Sequence, residues 1–489
     1  MRAKNLLRDI PAVILAAGEG SRLRNSEGEV PKPLVRIYGL SLLERSLLTF
    51  KTAGVRKFYV VVGFQKDRVI EHARELAEKH DIFIEIISSD CWQLGNGASA
   101  SAPAGRIDKP FFLAMCDHLF DPEIPVRLFE AECENNSAVC RLAVDRNFRG
   151  INDVGEATLV SILGDTVVDI GKGIPNADAM DTGIFLCKPE LFDVLKKAIS
   201  QGKGNLSDAL RLLIPEKKFK VVDVTGLFWF DIDTPGDLKK AEDSLLALLK
   251  RSKNIDGPVS KYINRHFSIE ITRRIARKSI TPNQVSVVGA VVGILGAMWF
   301  FISGMLADSA PLSSLACIIA GLLVQVSSII DGVDGEIARL KFQHSPYGAY
   351  VDHMLDRYVD GLVVCGIVFA LFKTSGSLSA FLWGGLALIG LPLSSIHRAK
   401  FRAETGRNYL PEEDGFLRVL PYSRDVRLFV VFLGAVFGRI DFVLYYLSIV
   451  PNVVSIIRFR RVKKAMEDER VRAVDEAKRF VITRADQIV

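Results

Sequence analysis

Paired cysteines are missing from this chain. Its seven cysteines (Cys91, Cys116, Cys133, Cys140, Cys187, Cys317, Cys365) show no CxxC spacing, so neither a zinc site nor a disulfide framework is indicated, and a reducing compartment suits them. No basic stripe interleaved with aromatics occurs, and a formal net charge of +6 is modest for 489 residues; no nucleic acid is expected as a partner. Internal repeats and low-complexity tracts are also lacking. The opening segment "MRAKNLLRDIPAVILAAGEGSRL" has an apolar stretch too short for a signal peptide, running directly into glycines and charge, and reads as a buried first strand. Apolar residues are what the chain has in excess. A hydrophobic content of 49% exceeds what a soluble enzyme usually needs, so part of the chain is expected in lipid.

The composition changes near residue 255. Before it, strand-length apolar runs ("AVILAAG", "FYVVVGF", "IFIEIISS", "FFLAMCD") alternate with amphipathic stretches such as "QKDRVIEHARELAEKH", the pattern of a mostly parallel sheet covered by helices. After it, "KNIDGPVSK" reads as a polar linker. In "YINRHFSIEITRRIARK", Ile263, Phe267, Ile271 and Ile275 recur at fourfold spacing with arginines between them, as suits a helix lying on an anionic membrane surface. The expected division is 1–254, an α/β nucleotide-handling domain; 255–281, linker and juxtamembrane helix; 282–462, an all-α domain of six transmembrane helices; and 463–489, a charged tail.

"TPN" offers Thr281 as N-cap and Pro282 as first residue of a long apolar helix. Six spans follow, near 283–303, 312–331, 349–372, 379–397, 424–438 and 441–460, the fifth short for a bilayer. Basic residues crowd "EIARLKFQHSPYG", the long loop after span four, and "RFRRVKK", while the opposite loops hold almost none. The positive-inside bias places these loops, the N-terminal domain and the C-terminus in the cytoplasm of a multi-pass membrane protein.

Carboxylates set against such spans are expensive unless they serve a purpose. Asp331 and Asp334 are three apart at the end of span two, and Asp352 and Asp356 four apart in span three. Each pair shares a helical face, so two adjacent antiparallel helices would point four carboxylates into one pocket. An all-oxygen site favours Mg²⁺, Mn²⁺ or Ca²⁺ over zinc. Gly335 and Gly348 would admit a ligand close to the helix backbones. The stretch reads D-x2-D-G-x2-A-R-x8-G-x3-D-x3-D and closely resembles the signature of the CDP-alcohol phosphotransferases, six-helix membrane enzymes that move a phosphoryl-alcohol group from a CDP carrier to a second alcohol and release CMP. That resemblance implies Asp331, Asp334, Asp352 and Asp356 as metal ligands, Asp356 also as the base on the acceptor hydroxyl, and Gly335, Ala338, Arg339 and Gly348 as the CDP-binding residues. Asp360 lies outside the pattern and is expected to be paired structurally. A cationic pocket for the acceptor could draw on Arg398, Lys400, Arg424, Arg427 or Arg458; Arg398 and Arg427 are carried forward, with Arg427 preferred.

In the first half, "LAAGEGSRL" follows the first expected strand and "PKPL" comes shortly after. A glycine-rich turn can wrap a triphosphate with backbone N–H groups while Arg22 and Lys32 supply charge where pyrophosphate leaves. It is not the dinucleotide GxGxxG, because Arg22 and Leu23 follow Ser21. LAAGxGxRL with PKPL resembles the nucleotidyltransferases that activate sugar and polyol phosphates. The resemblance implies nucleotide contacts at Ala16, Gly18, Gly20, Gln93 and Gly97, magnesium ligands at Asp117 and Asp231, and substrate contacts at Lys172, Thr182 and Gly183. Asp233 or Asp237 could replace Asp231, or the three could cap the helix after Pro235.

A neighbour that consumes CDP-alcohols makes CTP the expected donor, and tethering raises the local concentration of the intermediate. The whole arrangement resembles the family of bifunctional inositol-1-phosphate cytidylyltransferase and di-myo-inositol phosphate phosphate synthases. That implies Mg²⁺ or Mn²⁺ at both sites, CTP and inositol 1-phosphate as substrates, CDP-inositol as intermediate, contact with membrane lipids, and a homodimer. Composition and spacing do not themselves indicate inositol. A lipid alcohol as acceptor, giving phospholipid head-group synthesis, and a non-catalytic nucleotide sensor are the competing readings.

Overall fold

Contacts divide the chain into two compact units, Met1–Leu245 and Leu246–Val489. The computed structural model describes residues 6–23, 30–148, 157–251, 257–419 and 422–485; residues 252–256 of the expected linker and 486–489 of the tail lie outside the described residues.

The first unit is built on alternation within its strands. In β1 (Ala12–Ala16), Ala12, Ile14 and Ala16 enter one apolar core and Val13 and Leu15 the other. A strand covered on both faces needs apolar side chains at every position, which is why "AVILA" shows no polar alternation. With β2 (Lys57–Val62), β3 (Phe83–Ser88), β4 (Phe111–Met115), β5 (Cys140–Asp145), β6 (Leu159–Leu163), β7 (Thr166–Gly171), β8 (Ala179–Cys187) and β9 (Phe219–Asp223), it forms a mixed sheet ordered β3-β2-β1-β4-β8-β5-β9-β7-β6. β3, β2, β1 and β4 are parallel, and β8 runs antiparallel to both β4 and β5.

Helices cover both faces, as the sequence pattern leads one to expect. Leu42–Ala53, Lys66–His80 and Glu123–Glu134 insert Leu47, Val69 and Leu128 into one core, while Leu191–Ser200 and Leu206–Leu210 insert Leu195 and Leu210 into the other. Because β1 and β4 are parallel neighbours, the loops leaving their carboxyl ends emerge side by side; the Cys116 N–H donates to the Leu15 carbonyl at 3.2 Å. A two-stranded ribbon, His118–Phe120 against Trp229–Asp231, sets Asp231 opposite His118.

The second unit is helical: α1 (Arg265–Ile275), α2 (Pro282–Met305), α3 (Ala310–Leu340), α4 (Pro346–Ser375), α5 (Ser379–Thr405), α6 (Arg424–Val436) and α7 (Ile440–Ala485). Thr281 caps α2 as its spacing suggests, in a full capping box with Gln284 and with Pro282 at the start of the helix. The six expected spans fall on α2 to α7, the fifth running two residues past the end of α6. Among the described residues α2, α3, α5 and α7 are long and apolar enough to cross a membrane, whereas α4 carries Asp352, Asp356, Arg357 and Asp360 in its first half and α6 has 13 residues.

α2 packs against both α3 and α4, and α5 against α7. Small residues allow this closeness, as in membrane helix packing generally: a methyl group at Gly366 would lie 2.7 Å from the Ala297 carbonyl oxygen. The charged tail from 463, expected to be helical, continues α7 without a break as far as Ala485. No glycine or proline interrupts 459–485, and its Glu, Lys, Arg and Ala residues are good helix formers.

The juxtamembrane helix turns its polar side inward. Asn264, Ser268, Ile269 and Thr272 are buried, while Phe267 is exposed and Ile263, Ile271 and Ile275 are half-buried. The expected apolar stripe is therefore not the face that packs against α3.

Candidate functional site

The first unit gathers Asp117 and Asp231 at one place, and the second gathers three of its four expected carboxylates. In the first, Lys32 is buried and its ammonium contacts the Asp117 carboxylate and donates to Asp233 Oδ1 at 2.7 Å. Burial disfavours a lysine's charge, but the Asp117 and Asp233 carboxylates outweigh it and raise the pKa. Asp117 is half-buried; desolvation works against its charge, but Lys32 and then His118 hold it below the usual carboxylate range. The turn needs glycine at position 20: its φ is +64°, and a Cβ there would fall 2.6 Å from Cβ of Lys32. Arg22 reaches Asp233 at 3.5 Å from the more exposed side. Ala16 ends β1 and is buried, and Gly18 is exposed.

The "WFDIDTP" alternatives separate by geometry. Asp237 accepts from the Thr234 N–H and hydroxyl, capping the helix Pro235–Arg251, and Asp233 pairs with Lys32. Asp231 joins Asp117 and His118 in a group whose ligand atoms lie within 4.8 Å of one another. His118 Nδ1 is 2.9 Å from Asp117 Oδ1 and 3.9 Å from Asp231 Oδ1. Burial alone would keep this imidazole neutral, but Asp231 and then Asp117 raise its pKa to about 9. No motif in the sequence singles out His118; its one signal there is that it directly follows Asp117.

The remaining residues of this half are spread more widely. Gln93 is exposed and Lys172 lies in the exposed turn after β7. Gly97 is buried against the backbone of Gly204 and Asn205. The Thr182 hydroxyl points into the core and donates to the Ala143 carbonyl at 2.8 Å, so of the Thr182–Gly183 pair only the glycine borders the site, against the His118 ring. Next to it, the Gly183 N–H donates to Asp181 Oδ1 at 2.7 Å, and burial raises the Asp181 pKa to about 6.

In the second unit, Asp331 from α3 and Asp352 and Asp356 from α4 place their ligand atoms within 4.8 Å of one another. Asp334 lies apart from that trio, accepting from the Ser286 hydroxyl at 2.5 Å and from the Gly335 N–H. Gly335, Ala338, Arg339 and Gly348 line one cavity of about 340 Å³ together with Asp331, Asp334 and Asp352. Three carboxylates without a softer donor form the ligand set of a hard divalent cation, and the first unit's cluster of two carboxylates and an imidazole also fits a divalent ion.

Among the arginines, Arg424 reaches the cluster: Nη1 is 2.8 Å from Asp356 Oδ1 and 3.2 Å from Asp331 Oδ1, and Nε donates to Asp360 Oδ1 at 3.1 Å. Arg427, the preferred candidate, is buried one turn further along α6, 3.8 Å from Asp360 Oδ2 and donating to the Leu391 carbonyl. Asp360 is thus paired, as expected. Arg398 is exposed, Lys400 pairs with Glu404, and Arg458 is wholly buried against Asp414 and the Tyr422 hydroxyl.

Residues 12–211 match the MobA-like NTP transferase domain, and residues 279–406 match the CDP-alcohol phosphatidyltransferase family. The chain is similar over nearly its whole length to curated relatives named bifunctional IPC transferase and DIPP synthase. The one from Rubrobacter xylanophilus is 34% identical over 457 residues, 93% of this chain and 97% of the relative. That from Thermococcus kodakarensis is 34% identical over 425 residues, 86% and 89%. The inositol-1-phosphate CTP transferase from T. maritima is a structural neighbour at 27% identity and a TM-score of 0.42, covering 48% of this chain and 93% of its own.

Proposed function

The chain belongs to the family of bifunctional IPC transferases and DIPP synthases, and from that premise we propose how its two carboxylate clusters divide the work. The enzyme is a bifunctional transferase that makes a di-myo-inositol phosphate precursor in two steps. The observation that carries the assignment is the presence in one chain of two separate clusters, Asp117 with Asp231 and Asp331 with Asp352 and Asp356, each inside its own unit.

At the first cluster, in a domain drawn as 1–254, a phosphate oxygen of inositol 1-phosphate attacks the α-phosphorus of CTP. The new P–O bond forms as the bond to pyrophosphate breaks. The backbone from Ala16 through Gly18 and Gly20 holds the triphosphate, with Gln93 and Gly97 on the base and Lys172 and Gly183 on the inositol phosphate. Lys32 and Arg22 stabilise charge on the departing pyrophosphate. Asp117 and Asp231 would hold Mg²⁺, which would supply positive charge to the triphosphate, and His118 keeps these carboxylates at fixed separation.

At the second cluster, in 282–462, Asp331, Asp334, Asp352 and Asp356 would hold divalent ions, which would supply positive charge against the diphosphate of CDP-inositol. Gly335, Ala338, Arg339 and Gly348 surround the nucleotide. Asp356 takes the proton from a hydroxyl of a second inositol 1-phosphate, whose oxygen attacks the phosphoinositol phosphorus as CMP leaves. Arg424 orients Asp356, and the acceptor's phosphate is assigned to Arg427 and Arg398. The chain is a membrane protein; we place its N-terminal domain and C-terminus in the cytoplasm, where CTP is available, and expect a homodimer in contact with lipid.

Phosphorus NMR of purified enzyme with CTP, Mg²⁺ and inositol 1-phosphate tests this scheme. Wild type is expected to release pyrophosphate and CMP and to form a soluble phosphodiester. Asp356→Asn should accumulate CDP-inositol, with CMP release slowed by ~10²–10⁴-fold. Turnover only with another polyol phosphate would overturn inositol as substrate, and labelled polyol in the lipid extract would point to a lipid acceptor.

A further inference from the structure

The signature in α3 leaves the residue after Gly335 unspecified, and here it is Glu336. Its side chain is 0% exposed. Among the described residues, the donors that it receives come from α1, the helix before the first span: Arg265 Nη1 at 3.1 Å and Ser268 Oγ at 2.7 Å on Oε1, and Thr272 Oγ1 at 2.6 Å on Oε2. One turn earlier the contact continues, with Asn264 Nδ2 donating to Ser328 Oγ at 3.1 Å and Gln325 Nε2 donating to Asn264 Oδ1 at 2.8 Å. A buried carboxylate is tolerated when charge and hydrogen bonds compensate it, and here that compensation arrives from one helix.

The same helix faces the cavity. Arg265, Asn264 and Ser268 line it together with Gly335, Ala338 and Arg339. Arg265 is therefore a second arginine lining the cavity from outside the signature, besides the Arg339 that the signature specifies. Anionic phosphates are well matched by arginine donors in such a site.

We propose that Arg265 is a further substrate-binding residue, contributing its guanidinium to the diphosphate of the CDP-alcohol, and that Glu336 is the positioning residue that holds it on the cavity wall. This rests on the reading of the cavity as the CDP-alcohol site. The polar inward face of α1 follows from it: Asn264, Ser268 and Thr272 recur every four residues because they must meet a carboxylate and an amide on α3 rather than an apolar core.

The test measures CMP release by the full-length enzyme from supplied CDP-inositol at saturating inositol 1-phosphate, alongside pyrophosphate release from CTP. Arg265→Ala is expected to raise KM for CDP-inositol by roughly 10- to 100-fold, the loss of a charge-assisted hydrogen bond. Its kcat should stay within about threefold and its pyrophosphate release unchanged. Arg265→Lys should recover part of the loss, and Glu336→Gln should raise KM in the same direction as Arg265→Ala. If Glu336→Gln does not fold, the two Arg265 variants decide, since they leave Ser268 and Thr272 on Glu336. A KM for Arg265→Ala within twofold of wild type overturns the assignment whatever happens to kcat. Wild type that releases no CMP from CDP-inositol would instead overturn the reading of the cavity itself.

Discussion

Lys32 shows what a single residue is asked to do in this protein. Buried beside Asp117 and Asp233, it is a cation held in place by two anions, ready to meet a third when a triphosphate arrives. Lys32→Ala should therefore slow pyrophosphate release by ~10²–10³-fold, while CMP release from supplied CDP-inositol continues at the wild-type rate; a coupled pyrophosphate assay reads the first and phosphorus NMR the second. Glu44 is a different kind of buried charge. It accepts from Lys79 and His80, each at 2.7 Å, far from either cluster in sequence. Burial works against its ionised form, yet those hydrogen bonds, His80 first, lower its pKa from 4.5 to about 2. A depressed pKa stabilises the fold at pH above the unfolded value, and that contribution is lost as pH falls from about 4.5 through about 2. Thermal unfolding of wild type and Glu44→Gln should accordingly differ most above pH ~5 and converge toward pH ~2.

At the scale of elements, α6 matters for where it begins. Ser423 precedes it and Arg424 is its first residue, so the loop before α6 decides whether a guanidinium reaches Asp331 and Asp356. That loop is tied down from α7: Arg458, with 0% exposure, donates to both oxygens of Asp414 at 2.8 Å and to the Tyr422 hydroxyl at 2.9 Å. Removing one member of a buried pair strands the other charge. Asp414→Ala should thus lower stability by ~3–5 kcal/mol, read as an earlier thermal unfolding transition in detergent, and CMP release should fall with it. The paired replacement Asp414→Leu with Arg458→Met should unfold later than Asp414→Ala alone, because neither charge is left buried.

Across the whole molecule, the order of charged loops fixes an expected topology that can be read directly. Ser377 lies between α4 and α5, where Lys373 in the last turn of α4 is the one lysine nearby, whereas Glu404 lies at the other end of α5 among basic residues. In inverted and right-side-out vesicles, Ser377→Cys and Glu404→Cys should be labelled by a membrane-impermeant maleimide from opposite sides, with Glu404→Cys reacting from the cytoplasmic side. Labelling of both from one side would overturn the placement of the N-terminal domain and tail in the cytoplasm.

Many features of this protein are legible in the chain itself, because their signals are local. Apolar runs at strand and bilayer length, Thr281 and Pro282 at a helix start, and carboxylates three and four apart are constrained by the period of the backbone. Those patterns suffice to mark an α/β half followed by a helical half and to single out Asp331, Asp352 and Asp356, which the fold brings together. Which distant residues complete each site depends instead on tertiary packing. His118 joins Asp117 because a ribbon pairs it with Asp231, and Asp233 faces Lys32 while Asp237 turns back to cap its own helix. Arg424 rather than Arg427 meets Asp331 and Asp356 because α6 approaches that cluster by its first turn. The inward face of α1 escapes a local pattern for the same reason. An apolar stripe is visible in one helix's sequence, but the buried Glu336 that the opposite, polar face meets lies on another helix, 64 to 71 residues away.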